Sequence, residues 1–366
     1  MSKQLFERLM STAEQRGVVV ANADQGRYIK QINDEDATLM SSADTELIVV
    51  SRQVRLVKIE FKEDIYYCIF GITDSDLELE GLESVEMTPG IFALSILESR
   101  VHPPTAISGS EIRNAIEDRY ISANGFQGFD LSEIEALFPK ASLFKISLRV
   151  PYTTSDSYRV LGAIISRSYS DGPIAISGDT LEVLHDIFVN GSEYLPFKNL
   201  VQGVMSISWE GLYLEVYRCL EQLYSEPRIA NLVSVMPSEN HSIREIASLL
   251  ETHLSWRPKE DDSLAKVISG SKEHLIEELC RSLGASVNQK ADMHEARVAA
   301  KKVYSIRNQI VHYRPANQPL TKNDEEWNAI VSALLYIVDD IYKNKGQGFF
   351  QKRPEAKRTG RRVLEK

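Results

Sequence analysis

The chain has 366 residues, of which 43% are hydrophobic and 26% charged. That is enough apolar material for a large core, and the length favours two domains. No apolar run approaches the ~18–20 residues of a membrane span. Residues 1–16 carry acids where a signal peptide would be continuously apolar. Three scattered cysteines, Cys68, Cys219 and Cys280, offer neither a disulfide framework nor a metal spacing. Together these features predict a cytoplasmic protein without a membrane partner.

The net charge of −10 argues against a general nucleic-acid coat. From Gln351 to Lys366, however, seven basic residues face two acids, so this stretch carries +5 and leaves −15 for the rest. A basic tail of this kind either attracts phosphate backbones locally or simply solubilises the chain.

Residues 1–196 read as an α+β domain. Short apolar, β-branched runs at Gly17–Ala21, Glu46–Val50, Arg55–Phe61, Ile65–Ile72, Leu143–Val150 and Arg159–Ser166 predict strands. Capping-box spacing at Ser108–Glu111 and Asp179–Glu182 predicts helix starts. Turn-rich residues at 190–196 place the domain boundary near Pro196.

Residues 197–345 read as an all-α, up-and-down bundle. Trp209, Leu212, Tyr213, Val216, Leu220 and Leu223 recur at helical steps. Ser242-Ile-Arg-Glu245 is a further capping box. Ser263–Leu283, Asp292–Tyr313 and Trp327–Tyr342 complete five predicted helices. Residues 346–366 read as a separate basic tail.

The segment Ala299–Pro315 concentrates chemistry. Ala299, Val303, Ile306 and Ile310 form one apolar stripe. At about 100° per residue, Asn308 and His312 lie roughly 150–170° from its middle, with Lys301 and Tyr304 on the same far side and Arg307 flanking it at roughly 70°, so that Arg307 and His312 are both expected to turn outward from their own bundle. Pro315 disfavours helical geometry at Arg314, so the helix ends here. A histidine can move the proton of a ribose hydroxyl near neutral pH, and a guanidinium can hold a charged phosphate. No metal or cofactor is required if the RNA's own 2′-hydroxyl is the nucleophile. The competing reading is an exposed, idle histidine. Arg-Asn-x-x-x-His arises by chance in only about 1–2% of chains this long. Of the seven histidines, only His312 has an arginine five to seven residues upstream.

Arg307-Asn-Gln-Ile-Val-His312 resembles the Arg-x(4–6)-His signature of HEPN domains, in the form with Asn after Arg. Leu254-Ser-Trp-Arg-Pro-Lys-Glu260 is similar to the defence-associated, Apea-like branch. The resemblance covers roughly residues 197–345, while residues 1–196 match no family pattern. It implies a homodimer whose two motifs meet across a two-fold seam, here the Tyr304/Asn308/His312 face. It implies metal-independent RNA cleavage that leaves a cyclic phosphate, in antiviral defence or as a toxin. Arg307 would clamp the phosphate, His312 would act as general acid or base, and Asn308 would orient the site. Lys301, Tyr304, Arg314 and the tail residues Arg358, Arg361 and Arg362 are candidate RNA contacts. Some family members have lost catalysis and serve as scaffolds or partner-binding modules, which is the alternative reading. The N-terminal domain would then sense a phage-derived or cellular trigger.

Weaker patterns remain. Asp44 with Glu60-Phe-Lys62 loosely follows the Asp…Glu-x-Lys order of metal-dependent nucleases, but Lys58, Glu60 and Lys62 alternate with Val57, Ile59 and Phe61 as an ordinary solvent face does. Asp74–Glu80 reads as an acidic solvated loop. There is no Gly-x(4)-Gly-Lys-Ser/Thr phosphate loop. His241 and His253 are too far apart for a helical metal pair. Trp209, Trp256 and Trp327 are expected to pack in the core.

Overall fold

The computed structural model of the protein describes residues 2–21, 26–30, 33–52, 54–72, 79, 81–117, 126, 128–146, 156–170, 172–235, 241–256, 259–285, 294–312 and 320–351. The chain forms two compact units, Met1–Ser168 and Tyr169–Lys366. The expected order, α+β and then all helical, holds.

The first unit is built on one antiparallel sheet. Its strands are β1 (Asp44–Val49), β2 (Arg55–Phe61), β3 (Asp64–Phe70), β4 (Leu82–Ser84) and β5 (Ala141–Ile146), in the spatial order β1-β2-β3-β5-β4. Pairing of Phe61 with Asp64 leaves a two-residue hairpin whose Lys62 sits in the left-handed region at φ 56°. Helices α1 (Ser2–Gln15), α2 (Asp34–Ser42) and α3 (Pro89–Ser99) accompany the sheet, followed by α4 (Gly109–Glu117), α5 (Leu131–Glu135) and α6 (Ser157–Ser168). Val57, Ile59 and Phe61 join Cys68, Phe70 and Leu143 in a core with Leu5, Phe6 and Leu9 of α1 and Ile91 and Phe92 of α3. The Ser108–Glu111 capping box forms as expected: Glu111 N–H donates to Ser108 Oγ at 3.1 Å, and Ser108 N–H donates to the Glu111 carboxylate at 2.6 Å.

Several expectations for this unit are overturned. Arg159–Ser166 is helical, within α6, and every residue of that run is buried. A short apolar run buried on all sides carries no period that separates helix from strand. Gly17–Ala21 is the chain leaving α1 through Gly17 at φ 79°, not a strand. On β2, Lys58 is only 8% exposed, and Leu56, Tyr67, Ile69 and Phe144, which share its face through the register, are buried too. The sheet is therefore apolar on both faces, and Lys58 pairs with Glu60. The α3 helix shows no surface period because nearly all of it is buried; Thr88 caps it and Pro89 occupies its first turn.

The second unit holds α7 (Gly178–Asn190), α8 (Phe197–Val204), α9 (Trp209–Glu221), α10 (Glu226–Val235), α11 (Ile243–Leu254), α12 (Glu260–Ile268), α13 (Glu273–Ser282), α14 (His294–Val311) and α15 (Asp324–Phe350). The units divide at Ser168, earlier than Pro196, because α7 belongs to the helical core. Leu184, Ile187 and Phe188 are buried, the Phe188 ring lies 6.0 Å from Phe197, and Asn328 of α15 accepts from Ser177 N–H at 2.8 Å. The cap of α7 is Ser177, two residues before the expected Asp179.

From residue 197 on, the five predicted helices are thus eight among the described residues, α8 to α15. The expected single helix over Ser263–Leu283 is two. Buried Asp340 of α15 accepts from Ser271 Oγ at 2.8 Å and Lys272 N–H at 3.1 Å, so α13 starts afresh there. Residues 346–350 are not tail but the last turns of α15, where Phe349 is buried. No helix among the described residues is long and apolar enough to cross a membrane.

Candidate functional site

Helix α14 is positioned by its apolar stripe. Ala299, Val303 and Ile306 are buried, as expected, and Ile310 is half-buried toward the end. Tyr213 of α9 donates its hydroxyl to Val303 O at 2.7 Å. Lys302 reaches back from α14 to the carbonyls of Leu283 and Gly284 at 3.0 and 3.1 Å, satisfying acceptors left open at the end of α13. These contacts fix the rotation of α14 about its axis, and hence where its polar residues point.

His312 stands one residue beyond the helix, exposed, with its backbone N–H donating to Asn308 O at 2.9 Å. Asn308 is half-buried. Lys301 is exposed and Tyr304 half-buried. The far face of α14 is therefore open in part, as the helical angles predict.

Arg307 behaves differently. Its side chain is only 18% exposed and turns toward α9. Nη2 lies 3.9 Å from Glu221 Oε1, the guanidinium carbon sits 5.9 Å from the Tyr217 ring centroid, and Nη1 donates to Asn308 Oδ1 at 3.0 Å. Within one chain, then, Arg307 faces inward and His312 outward; Asn308 links them only through its side-chain and backbone oxygens. Arg314, Arg358, Arg361 and Arg362 lie outside the described residues.

The surroundings of Arg307 are apolar and acidic. Burial pushes the Tyr217 hydroxyl up to about 12 and raises Tyr224, to which it is hydrogen-bonded. Burial also raises the Glu221 carboxyl; Arg307 opposes that rise and Glu260 adds to it. Glu221 and Tyr224 form one side of a cleft of ≈ 400 Å³ that also takes in Glu251, Trp256 and Glu260. Three carboxylates beside one arginine, Arg244, make this cleft a poor phosphate site.

Tyr217 and Glu221, four residues apart on α9, were not legible as partners of the motif. They fall beside the apolar stripe that defined α9, and only an inward Arg307 gives them meaning. Trp209 and Trp327 pack in the core as expected, stacked at 6.4 Å, whereas Trp256 is half-buried at the cleft.

The metal-nuclease pattern does not assemble. Asp44 faces Glu60 across the β1–β2 ladder, but Lys62 is a hairpin residue whose Nζ bonds Glu35 at 2.8 Å. Among the described residues, no group of three His, Cys, Asp or Glu side chains can hold a metal ion. The acidic stretch at 74–78 lies outside the described residues. No family model, curated protein or solved structure matches the chain.

Proposed function

We propose that the helical unit is a HEPN-type endoribonuclease that cuts RNA through the substrate's own 2′-hydroxyl. His312 takes or gives a proton at the ribose or the leaving 5′-oxygen. Attack of the 2′-oxygen on phosphorus breaks the bond to the 5′-oxygen and leaves a cyclic phosphate. Arg307 neutralises the phosphoryl oxygens, Asn308 orients the arginine, and Lys301 and Tyr304 contact the strand. Two copies meet along the Tyr304/Asn308/His312 face. Destruction of cellular RNA in antiviral defence, released by a trigger at the N-terminal unit, is the role that suits such an activity.

The observation that carries this reading is the placement of His312: exposed, at the end of a helix whose opposite side is committed to its own bundle, five residues after an arginine. The test is purified protein with total RNA and a chelator. Cleavage is expected from the wild type, with a loss of about 10²-fold or more in His312→Ala and in Arg307→Ala. Undiminished cleavage in both variants overturns the proposal.

One observation favours a second reading, a non-catalytic HEPN-type scaffold that dimerises or binds RNA or a partner. Arg307 already has an acid, an amide and an aromatic face within its own chain. Full-length protein that binds RNA, loses binding on truncation after Phe350 and never cleaves at any concentration supports this version.

A further inference from the structure

The first unit contains a cleft of ≈ 560 Å³ that the proposed function does not use. Arg52, Arg55, Arg100, His102 and Lys140 line it, and no carboxylate does. In a chain of net charge −10 this is a local reversal of sign.

Part of that basicity has a local cause. Helix α3 ends at Ser99 and leaves carbonyls open, and the chain then runs irregularly to residue 107. Arg8 donates to Ile96 O at 2.8 Å, Arg16 donates to Pro104 O at 3.0 Å and Pro103 O at 2.6 Å, and Arg55 donates to Ser99 O. Bracing this segment accounts for Arg8, Arg16 and part of Arg55. The buried Arg55 Nε–H has no acceptor among the described residues.

Bracing does not account for Arg52 or Arg100. Both side chains are exposed at the cleft, and neither has a carboxylate partner among the described residues. Arg100 also sits in the left-handed region, φ 54°, at the end of α3, where glycine would be the unstrained choice. A strained arginine held beside other cations is costly twice over. Partial desolvation, then Arg8, Arg55 and Arg16, lower His102, and burial together with Arg100 lowers Arg8, so the cations act on one another. Val101 and Pro139 supply a rigid apolar wall. The volume falls within the range of about 300–1,000 Å³ that small-ligand sites occupy.

We propose that this cleft binds a small polyphosphorylated ligand of the nucleoside-polyphosphate class, with its phosphates on Arg52 and Arg100 and its ring system against Val101 and Pro139. Guanidinium–phosphate pairs are charge-assisted and geometrically matched, and they relieve the mutual repulsion of the cluster. The site stands whether or not the helical unit cleaves RNA.

The experiment is calorimetric titration of the full-length chain, at fixed ionic strength, with ATP, inorganic tripolyphosphate and a single-stranded oligonucleotide. Saturable binding of ATP is expected, tighter than that of tripolyphosphate. Arg52→Glu/Arg100→Glu should weaken ATP by roughly tenfold or more, and Lys3→Glu/Lys62→Glu should stay within about twofold, since both lysines are distant in role and solvent-exposed. Should the double reversal unfold, Arg52→Gln/Arg100→Gln carries the same expectation. Arg100→Gly separates site from scaffold: it relieves the positive φ, so it should raise the Tm while weakening ATP. No saturation by ATP or tripolyphosphate at millimolar concentration, or undiminished ATP binding in the folded double variants, overturns the site. Equal affinity for tripolyphosphate overturns the nucleoside part. An oligonucleotide that outcompetes ATP through the same arginines overturns the small-ligand assignment.

Discussion

The guanidinium of Arg307 on α14 lies 3.9 Å from the carboxylate of Glu221 on α9. The net effect of the site on Glu221 is still to raise its pKa, so burial and Glu260 outweigh the attraction of Arg307. A carboxyl whose folded-state pKa is raised costs stability when ionised. That cost appears as pH rises through the raised value and is absent below its unfolded value. Glu221→Gln is therefore expected to match or exceed the wild-type Tm at pH 7–8, with the difference closing in acid. Because Glu221 is partly exposed, the change should stay below about 1 kcal/mol, roughly 2–4 °C. Under the proposed function the variant also cleaves RNA faster, because Arg307 loses its internal counter-charge. A larger fall in Tm at neutral pH would show that the ion pair dominates.

Arg307 and His312 should separate in stability even where both abolish cleavage. Arg307 packs over Tyr217 and bonds Asn308, so Arg307→Ala is expected to cost on the order of 1 kcal/mol. His312 is exposed beyond the helix end, and His312→Ala should stay within about 0.5 kcal/mol. Chemical denaturation of the two variants distinguishes them. Equal and large losses would mean that His312 is packed in the assembled protein.

Much of this molecule was legible in its sequence, for reasons that differ by element. Strands β2 and β3 read as short apolar, β-branched runs bounded by polar or glycine residues, helix α9 shows its helical period, and the Ser108 and Ser242 capping boxes announce helix starts directly. The α14 stripe also gave the outward placement of His312. What failed lacked a surface to imprint a period: α6 and α3 are buried nearly all round, and β2 is covered on both faces. The expectation that Arg307 turns outward together with His312 failed, because at about 70° from the stripe a long side chain can swing either way. Its direction is set by Tyr217 and Glu221 on another helix.

Asp340 shows the same dependence on distant sequence. It is 6% exposed and accepts from Ser271 Oγ, Lys272 N–H and Lys272 Nζ, the last at 3.2 Å. Burial opposes its charge, but these donors prevail and hold its pKa below the ordinary value. Its stabilisation is present above the unfolded pKa and is lost as pH falls through the folded value. Asp340→Ala should cost about 1–3 kcal/mol by leaving Ser271 Oγ and Lys272 N–H, just ahead of α13, without their acceptor. Asp340→Asn should flatten the acid limb of the stability curve. A wild-type acid limb unchanged in Asp340→Asn would remove Asp340 from that role.

The position of the boundary between the units has a direct consequence for isolated fragments. Residues 169–196 contribute α7, whose Leu184, Ile187 and Phe188 are buried and whose cap is bonded to Asn328 of α15. A fragment of residues 197–345 strips that cover from α15 and removes Phe349, while residues 169–351 keep both. Losing four large buried side chains costs several kcal/mol at about 1.5–3 kcal/mol each, a sizeable share of a domain's total stability. Residues 169–351 are therefore expected to unfold in one sharp transition, and residues 197–345 to melt broadly or aggregate. A cooperative transition of equal midpoint in the shorter fragment would return the boundary to Pro196.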